Sequence, residues 1–151
     1  SLPMSDGRDL GLFDVHLSSF SGGDGTVPRQ VDAIASRLET RGGPFVIGGD
    51  FNCLPPGDDP ARLGADADHY ADRPEPLGVL YERLTSAIPL EAHRDEPERY
   101  RTWLPPGQDV ADRAIDHLFS SPDVEVLDAT VLTGITDVSD HLPLWVVLRV
   151  P

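Results

Sequence analysis

Polar residues with catalytic potential follow an apolar segment in the first half of the chain. Asp50 and Asn52 come after residues 45–47, a short continuous apolar run that is typical of a buried strand. At strand spacing their side chains leave the same face of a sheet, next to two glycines. A carboxylate can bind a metal ion or accept a proton, and a carboxamide beside it can donate a hydrogen bond to an anionic oxygen. The same pair can also be an Asx turn that closes the strand.

A second candidate site lies near the end of the chain. Asp140 and His141 follow a predicted turn at residues 136–139 and precede an apolar strand at residues 144–148. A histidine can give or take a proton near neutral pH, and a carboxylate can set its tautomer. Taken alone, the pair can also be an ordinary Asp-His pair in a surface loop.

Asp116 is the natural partner of this histidine. It lies inside the apolar segment 114–119, where an ionised side chain is costly unless it is paired. A pairing with His141 would let the carboxylate orient the imidazole, as in catalytic triads. His117 points to the opposite face of the same strand, and we predict that it is structural or exposed.

Hydrophobic periodicity predicts the elements that position these residues. Alternation over residues 9–17 predicts a strand whose polar positions, Asp14 and His16, lie towards its C-terminal end. Apolar residues at helical spacing predict helices over residues 28–38 and 77–84, and strand patterns occur at residues 102–103, 114–119, 124–132 and 144–150. We predict loops at residues 18–26 and 53–76 and a polar stretch at residues 91–101.

Length and composition narrow the classes of protein that remain. The 151 residues suffice for one domain, and 39% hydrophobic content is ordinary for a globular chain. No apolar run reaches the roughly 18–20 residues of a membrane span, and the single Cys53 excludes an internal disulfide or a four-cysteine zinc site. A formal net charge of −14 gives no electrostatic help in binding nucleic acid, although a local basic groove is compatible with it.

Four segments, in order, resemble motifs of the endonuclease/exonuclease/phosphatase superfamily, which has the deoxyribonuclease I-like fold. They are residues 15–17 with a following helix that carries Arg29 and Gln30, and residues 46–52, 114–119 and 139–143. The resemblance covers about residues 10–150. It implies an α/β protein that forms one half of a two-sheet α/β sandwich with outer helices. Residues 1–151 would be a single domain or half-domain, the C-terminal part of such a domain.

The resemblance also implies roles for individual residues. Asp50 and Asn52 would hold the attacking water or the phosphate oxygens beside Mg²⁺ or Mn²⁺, and Asp140 would be a metal ligand together with Asp50, or would position the water. His141 would contact the phosphoryl group and act in acid–base chemistry, with Asp116 behind it as the orienting carboxylate. His16 is similar to a second catalytic histidine of the superfamily, and Thr102 and Trp103 resemble a threonine–aromatic element that lines the site in relatives.

The implied activity is metal-dependent hydrolysis of a phosphate ester, either a phosphodiester or a phosphomonoester. Nuclease, sphingomyelinase-like and phosphatase substrates all stay open, as nucleic acid, phospholipid and sugar phosphate are not distinguished. Two other classes also remain. One is a non-catalytic binding or scaffold protein that keeps the fold. The other is a split enzyme, in which this chain needs a second polypeptide to complete the site.

One departure from the family pattern concerns the N-terminal half. Relatives normally have about as much chain again before the strand of residues 9–17, including an Asn and a metal-binding Glu, and neither motif occurs here. The strands at residues 45–47 and 144–148 are apolar on both faces, and we expect two helices to be too few to cover them. We therefore expect that the missing half or a self-associated copy covers an apolar face.

Overall fold

The computed structural model describes residues 1–19, 23–72 and 75–151. Its central feature is a five-stranded mixed sheet with the order β1-β2-β3-β5-β4. These strands are β1 (Leu2–Pro3), β2 (Asp9–His16), β3 (Phe45–Asp50), β4 (Thr85–Ser86) and β5 (Asp116–Ser120). Two further strands, β6 (Glu125–Val131) and β7 (Leu144–Arg149), form a separate antiparallel sheet. The α-helices are α1 (Thr26–Glu39), α2 (Gly78–Arg83) and α3 (Leu90–Asp95).

The pairing of β2, β3 and β5 brings polar residues of three strands together. β2 and β3 are parallel, and α1 makes the crossover between them. In this register His16 lies opposite Asp50. β5 runs antiparallel to β3 and places Asp116 on the other side of Asp50. Because directly opposed residues point to the same face, these three side chains form a row at one end of the sheet.

The helices cover the other face of this sheet. Val31 and Leu38 of α1 and Leu80 of α2 are buried against Ile47, Phe51 and Phe119 of the main core. His117 also lies on this face and is buried, as predicted for a structural residue. Its Nε2 atom is 2.9 Å from the carbonyl oxygen of Cys53, so its ring nitrogen is paired inside the core.

The second sheet packs on the face that carries the polar row. Leu148 of β7 and Val150 contact a cluster made by Leu10, Val46 and Val124. The predicted α/β fold with two sheets and outer helices is thus present. The outer side of the β6–β7 hairpin is not covered, since Trp145 is 58% exposed and its neighbour on that side, Val147, is 39% exposed.

Short elements account for most of the differences from the sequence predictions. The predicted loop at residues 53–76 contains the 3₁₀ segment Pro60–Tyr70, and the polar stretch at residues 91–101 contains α3 and the 3₁₀ segment Pro97–Tyr100. A six-residue helix has fewer than two turns, so its periodicity is too short to recognise. The strand predicted at residues 102–103 is an isolated bridge at Trp103. Parts of the predicted loops, residues 20–22 and 73–74, lie outside the described residues.

Among residues 1–19, 23–72 and 75–151, no helix is both long enough and apolar enough to cross a membrane. Cys53 is a free, buried cysteine. Its burial raises the pKa of the thiol well above the ordinary range, which leaves it protonated and poorly nucleophilic at neutral pH.

Candidate active site

Five of the predicted site residues converge at the C-terminal ends of β2 and β3. The Nε2 atom of His16 lies 3.6 Å from Oδ2 of Asp50, and the Nε2 atom of His141 lies 3.9 Å from the same oxygen. On its other side, the His141 ring meets Asp116, with 2.8 Å between Nδ1 and Oδ2. Asn52 completes the group through a hydrogen bond to Asp50. Asp50 is thus at the centre of the site.

Asn52 holds Asp50 in place through its backbone and its side chain. The backbone N–H of Asn52 donates to Oδ1 of Asp50 at 2.8 Å, which is the Asx turn considered as the alternative for this pair. The side-chain amide Nδ2 donates to Oδ2 of Asp50 at 3.0 Å and to the Leu17 carbonyl at 2.9 Å. Both amide hydrogens are therefore used within the protein, and Asn52 positions the carboxylate.

The backbone at this point is strained. Asn52 has φ 48°, and it is the one non-glycine residue with positive φ among the described residues. Such strain is commonly found at functional sites. Gly49, with φ 136°, is required for a different reason, since a Cβ atom there would collide with the Val15 carbonyl of β2. This glycine allows β2 and β3 to approach closely behind Asp50, rather than making room for a ligand.

The electrostatic environment raises the pKa of Asp50. Burial disfavours its charged form, and the nearby negative charge of Asp116 adds to the increase. The backbone N–H of Asn52 and the two histidines act in the opposite direction. Asp50 is thus a carboxylate whose basicity is greater than that of an exposed aspartate, which suits a group that accepts a proton or binds a cation.

At His141 the environment favours the charged form of the side chain. The hydrogen bond to Asp116 raises the pKa of His141, partial burial opposes this, and the charges of Asp116, Asp50 and Asp140 contribute further. Asp116 is held in turn by Thr102, whose fully buried Oγ1 accepts from the backbone N–H groups of Ile115 and Asp116, each at 3.1 Å. The structure therefore contains a chain of contacts from Thr102 through Asp116 to His141.

Residues 102–104 join the segments that carry Asp116 and His141. Trp103 bridges to Arg113 on one side and to His141 on the other. The Leu104 N–H donates to the Asp140 carbonyl at 2.8 Å, and the Leu142 N–H donates to the Thr102 carbonyl at 2.6 Å. The backbone of residues 102–104 thus holds the histidine loop beside β5, in addition to the contacts that the Thr102 hydroxyl makes with the start of β5.

Arg113 was not recognised in the sequence, although it supports this arrangement. Arg113 is only 3% exposed, and its guanidinium lies 4.1 Å from the centre of the Trp103 ring. It donates to the carboxylates of Asp112 and Asp66 and to the Tyr70 hydroxyl. These contacts fasten the segment Pro60–Tyr70 to the bridge at Trp103. In the sequence, the only sign of this role is an arginine between Ala111 and the apolar strand. It is a weak sign, because Asp66 and Tyr70, with which Arg113 pairs, are distant in the chain.

Tyr70 lies close to the site as a result. Burial raises the pKa of the Tyr70 phenol, and the negative charge of Asp50 adds to that increase, while Arg113 opposes it. Tyr70 and Asn52 line the same small cavity, so the end of the segment Pro60–Tyr70 lies beside the polar row. The predicted long loop at residues 53–76 therefore contributes an aromatic residue near the site.

Asp140, which we predict to be a metal ligand, is exposed and precedes His141 in the chain. It is not one of the three side chains that form the row. Among residues 1–19, 23–72 and 75–151, no three His, Cys, Asp or Glu side chains are grouped so that they could hold a metal ion. Asp50 and Asp140 both offer hard oxygen donors, and Asp140 directly precedes His141 in the chain. Mg²⁺ commonly takes one or two carboxylates and keeps waters and substrate oxygens as its other ligands. The donors present therefore fit such a cation as part of a larger ligand set.

Known proteins share part of the sequence and the fold of this chain. The sequence profile of the endonuclease/exonuclease/phosphatase family matches residues 7–141, which include all five converging residues and Asp140. The chain belongs to the endonuclease/exonuclease/phosphatase family. Curated relatives are distant in sequence: the UPF0294 protein VV2535 of Vibrio vulnificus strain YJ016 is 28% identical over 151 residues. The alignment covers 99% of this chain and 43% of that protein, so the chain spans less than half of the relative's length.

Solved structures of the family share the fold. A 3′ phosphatase from Neisseria, bound to a product DNA hairpin, aligns with 91% of this chain and 60% of its own at a TM-score of 0.64 and 18% identity. A mannosyl-6-phosphatase from Bacteroides thetaiotaomicron aligns with 91% of this chain and 50% of its own, at a TM-score of 0.56 and 20% identity. At these identities the likeness shows the fold alone, and this chain matches only part of each structure.

Proposed function

We propose that this chain carries the histidine–aspartate part of a divalent-metal-dependent phosphoesterase, which hydrolyses a phosphodiester or a phosphomonoester. The observation that carries the proposal is the continuous contact from Asp116 through His141 to Asp50. Two carboxylates with different environments, joined by one imidazole, suit a reaction that needs both a proton acceptor and a proton donor. Membership in the family and the phosphatase relatives support the same reaction class.

His141 would act through its Nε2 atom. Because Asp116 accepts a hydrogen bond from the Nδ1 side, the Nε2 side faces Asp50 and the open end of the sheet. When the imidazole is charged, Nε2–H can donate to a phosphoryl oxygen or to the leaving oxygen. Asp116 stabilises that charged form and keeps the ring orientation constant during the proton transfer.

Asp50 would position the attacking water or accept its proton through Oδ2. Asn52 keeps this carboxylate in one orientation, and His16 lies on its exposed side with a side chain that is 77% accessible. His16 is thus placed to contact phosphoryl oxygens as a substrate enters. Mg²⁺ or Mn²⁺ bound by Asp50 and Asp140 would offset the negative charge that develops on the phosphoryl oxygens.

We further propose that a second polypeptide segment completes the site. Leu12 lies on the face of β2 that carries His16 and is 51% exposed, and the outer side of the β6–β7 hairpin exposes Trp145 and Val147. Apolar surfaces of this kind are typical of interfaces. The curated relatives are more than twice as long as the matched chain, which supports a missing half as the partner over a second copy.

The test is hydrolysis of bis(p-nitrophenyl) phosphate and p-nitrophenyl phosphate with Mg²⁺ or Mn²⁺. It should be measured for the 151-residue chain and for the longest protein that contains it. We expect the longer protein to show activity that EDTA abolishes, and a loss of about 10²–10⁴-fold in its kcat for His141→Ala. A matched variant at an exposed position of β6, Asp128→Asn, should keep full activity. Full activity in EDTA, or an unaffected His141→Ala variant, would reject the mechanism.

A further inference from the structure

Two polar residues at the start of α1, Arg29 and Gln30, have no role in the contacts around Asp50 and His141. Arg29 stays within its own helix and the turn before it, because its guanidinium donates to Thr26 Oγ1 at 3.2 Å and to the Asp24 carbonyl at 3.4 Å. Gln30 differs from Arg29, since its side chain leaves the helix and reaches the chain that follows β2. This contact joins α1 to the end of the sheet where the candidate site lies.

The amide of Gln30 holds both the backbone and the side chain of Ser18. Its Oε1 atom accepts from the Ser18 backbone N–H at 3.0 Å, and its Nε2 atom donates to the Ser18 hydroxyl oxygen at 3.2 Å. Both hydrogen bonds are partly buried. Because the amide has one accepting and one donating end, the two contacts fix its orientation. Ser18 lies two positions after His16, the last residue of β2.

The residue between them, Leu17, uses both of its backbone polar groups at the site. Its N–H donates to the Asp50 carbonyl at 2.9 Å. Its carbonyl accepts from Nδ2 of Asn52, also at 2.9 Å. A continuous path of contacts therefore runs from Gln30 through Ser18 and Leu17 to Asn52, and from there to the Asp50 carboxylate.

The Leu17 carbonyl determines which end of the Asn52 amide faces Asp50. A carbonyl only accepts, so it selects the amide nitrogen, and the same Nδ2 atom donates to Oδ2 of Asp50 at 3.0 Å. If the Leu17 carbonyl moved away, the amide could turn over and place its oxygen against the carboxylate, where two acceptors repel each other. The position of this carbonyl therefore matters for the orientation of Asp50.

We propose that Gln30 is a positioning residue of the candidate active site, which fixes the end of β2 so that Asn52 holds Oδ2 of Asp50 in its reactive orientation. The inference rests on the proposed function. α1 is a firm support for this contact, since Val31 and Leu38 anchor it in the main core. A small displacement of a reacting group lowers the rate strongly, so a residue that touches no substrate can still control kcat.

The kinetic test uses Gln30→Leu, which removes both hydrogen bonds and keeps a residue of similar helix propensity. In the longest protein that contains this chain, kcat for bis(p-nitrophenyl) phosphate should fall by about tenfold, while KM changes by less than about twofold. Gln30→Glu can still accept from the N–H and from the hydroxyl of Ser18, so it should restore most of kcat. The matched control is Gln108→Leu, at an exposed turn, which should keep full activity.

A second test does not depend on turnover. The chain has one asparagine and two glutamines, Asn52, Gln30 and Gln108, so its ¹⁵N spectrum holds three side-chain amide pairs. Gln30→Leu and Gln108→Leu each remove their own pair, which identifies the pair of Asn52. Gln30→Leu should speed the exchange of the Asn52 amide with water by about tenfold or more, and Gln108→Leu should leave it unchanged. The backbone amide of Ile47, inside β3, should keep its exchange rate in both variants.

The two tests separate this inference from the proposed function. Faster exchange at Asn52, without any hydrolysis by the unmodified protein, would support the contact path and reject the activity. Hydrolysis with the same kcat in Gln30→Leu would support the activity and overturn the positioning role, as would an unchanged exchange rate at Asn52. Faster exchange at Ile47 as well would indicate a general loosening and also overturn it. Ser18→Ala, which removes only the hydroxyl contact, should give a smaller change in the same direction if Gln30→Leu does not fold.

Discussion

The Nδ1 atom of His141 lies 2.8 Å from Oδ2 of Asp116, although the two residues are 25 positions apart in the chain. Asp116 is itself held by β5 and by Thr102, so the contact joins a loop histidine to a fixed point of the main sheet. This arrangement favours one tautomer and one orientation of the imidazole. It also increases the share of His141 that is charged, since the hydrogen bond to Asp116 raises the pKa of His141.

Asp116→Asn is expected to lower kcat by about 10²-fold or more, because an amide can donate to the ring and favour the wrong tautomer. The comparison is Asp128→Asn, which changes an exposed carboxylate of β6. Steady-state kinetics on a p-nitrophenyl phosphate ester measure the effect, with circular dichroism to show that both variants fold. Equal activity of the two variants would mean that Asp116 does not orient His141.

Arg113→Gln is expected to destabilise the fold by about 3 kcal/mol, because it breaks a buried ion pair and removes the guanidinium stacked on Trp103. Urea denaturation measures the free energy of unfolding. Arg99→Gln, at an exposed surface pair, should change it by less than about 0.5 kcal/mol.

A positioning role for Arg113 predicts a further effect on kinetics. Because Trp103 bridges Arg113 and His141, the loss of Arg113 should lower kcat more than it raises KM. Arg113→Lys keeps a charge without the planar stacking surface, so it should rescue part of the stability and less of kcat. A uniform rise in KM with unchanged kcat would point to substrate binding and contradict positioning.

The buried histidines predict a loss of stability in mild acid. Burial and the neighbouring His117 lower the pKa of His93 to about 3, while the charge of Asp58 opposes this. Burial also lowers the pKa of His117. Each unfolded histidine therefore binds a proton below its ordinary pKa of about 6.5 that the folded protein does not bind. Stability should fall as the pH drops from about 6.5 towards 3, by up to about 1.4 kcal/mol per pH unit for each histidine.

His93→Phe tests this assignment. The ring of residue 93 packs 5.8 Å from the Tyr100 ring and 6.0 Å from the His117 ring, so phenylalanine preserves an aromatic group there. The slope of the unfolding free energy between pH 6 and pH 4 should be smaller in this variant. An unchanged slope in His93→Phe would exclude His93 as a source of acid sensitivity.

The uncovered side of the β6–β7 hairpin predicts that the chain associates. At rising concentration it should form dimers or larger species by sedimentation, unless a fragment carrying the missing half is present to cover this side. Trp145→Thr with Val147→Thr should raise the dissociation constant by about tenfold or more, since it removes large apolar side chains and keeps strand propensity. Val110→Thr changes an exposed loop residue and should have no effect. A chain that stays monomeric at high concentration would contradict this expectation.

Local patterns in the sequence were sufficient for much of the fold. The alternation in β2, the apolar run of β3 and the helical spacing of α1 each reflect burial of one face or both, which depends on residues close together in the chain. The cost of burying a charge was likewise visible at Asp116, because it stands alone among apolar neighbours. The polar ends of these strands then indicated where the candidate site lies.

Tertiary structure decided which of these ends meet and what holds them. The register that sets His16, Asp50 and Asp116 side by side comes from backbone pairing between distant segments, and no local pattern specifies it. The short helix α3 is stabilised by its packing rather than by its own few turns, so its sequence shows no clear helical pattern. Arg113 is buried only because Asp66, Tyr70 and Trp103 arrive from other segments to pair with its charge and cover it.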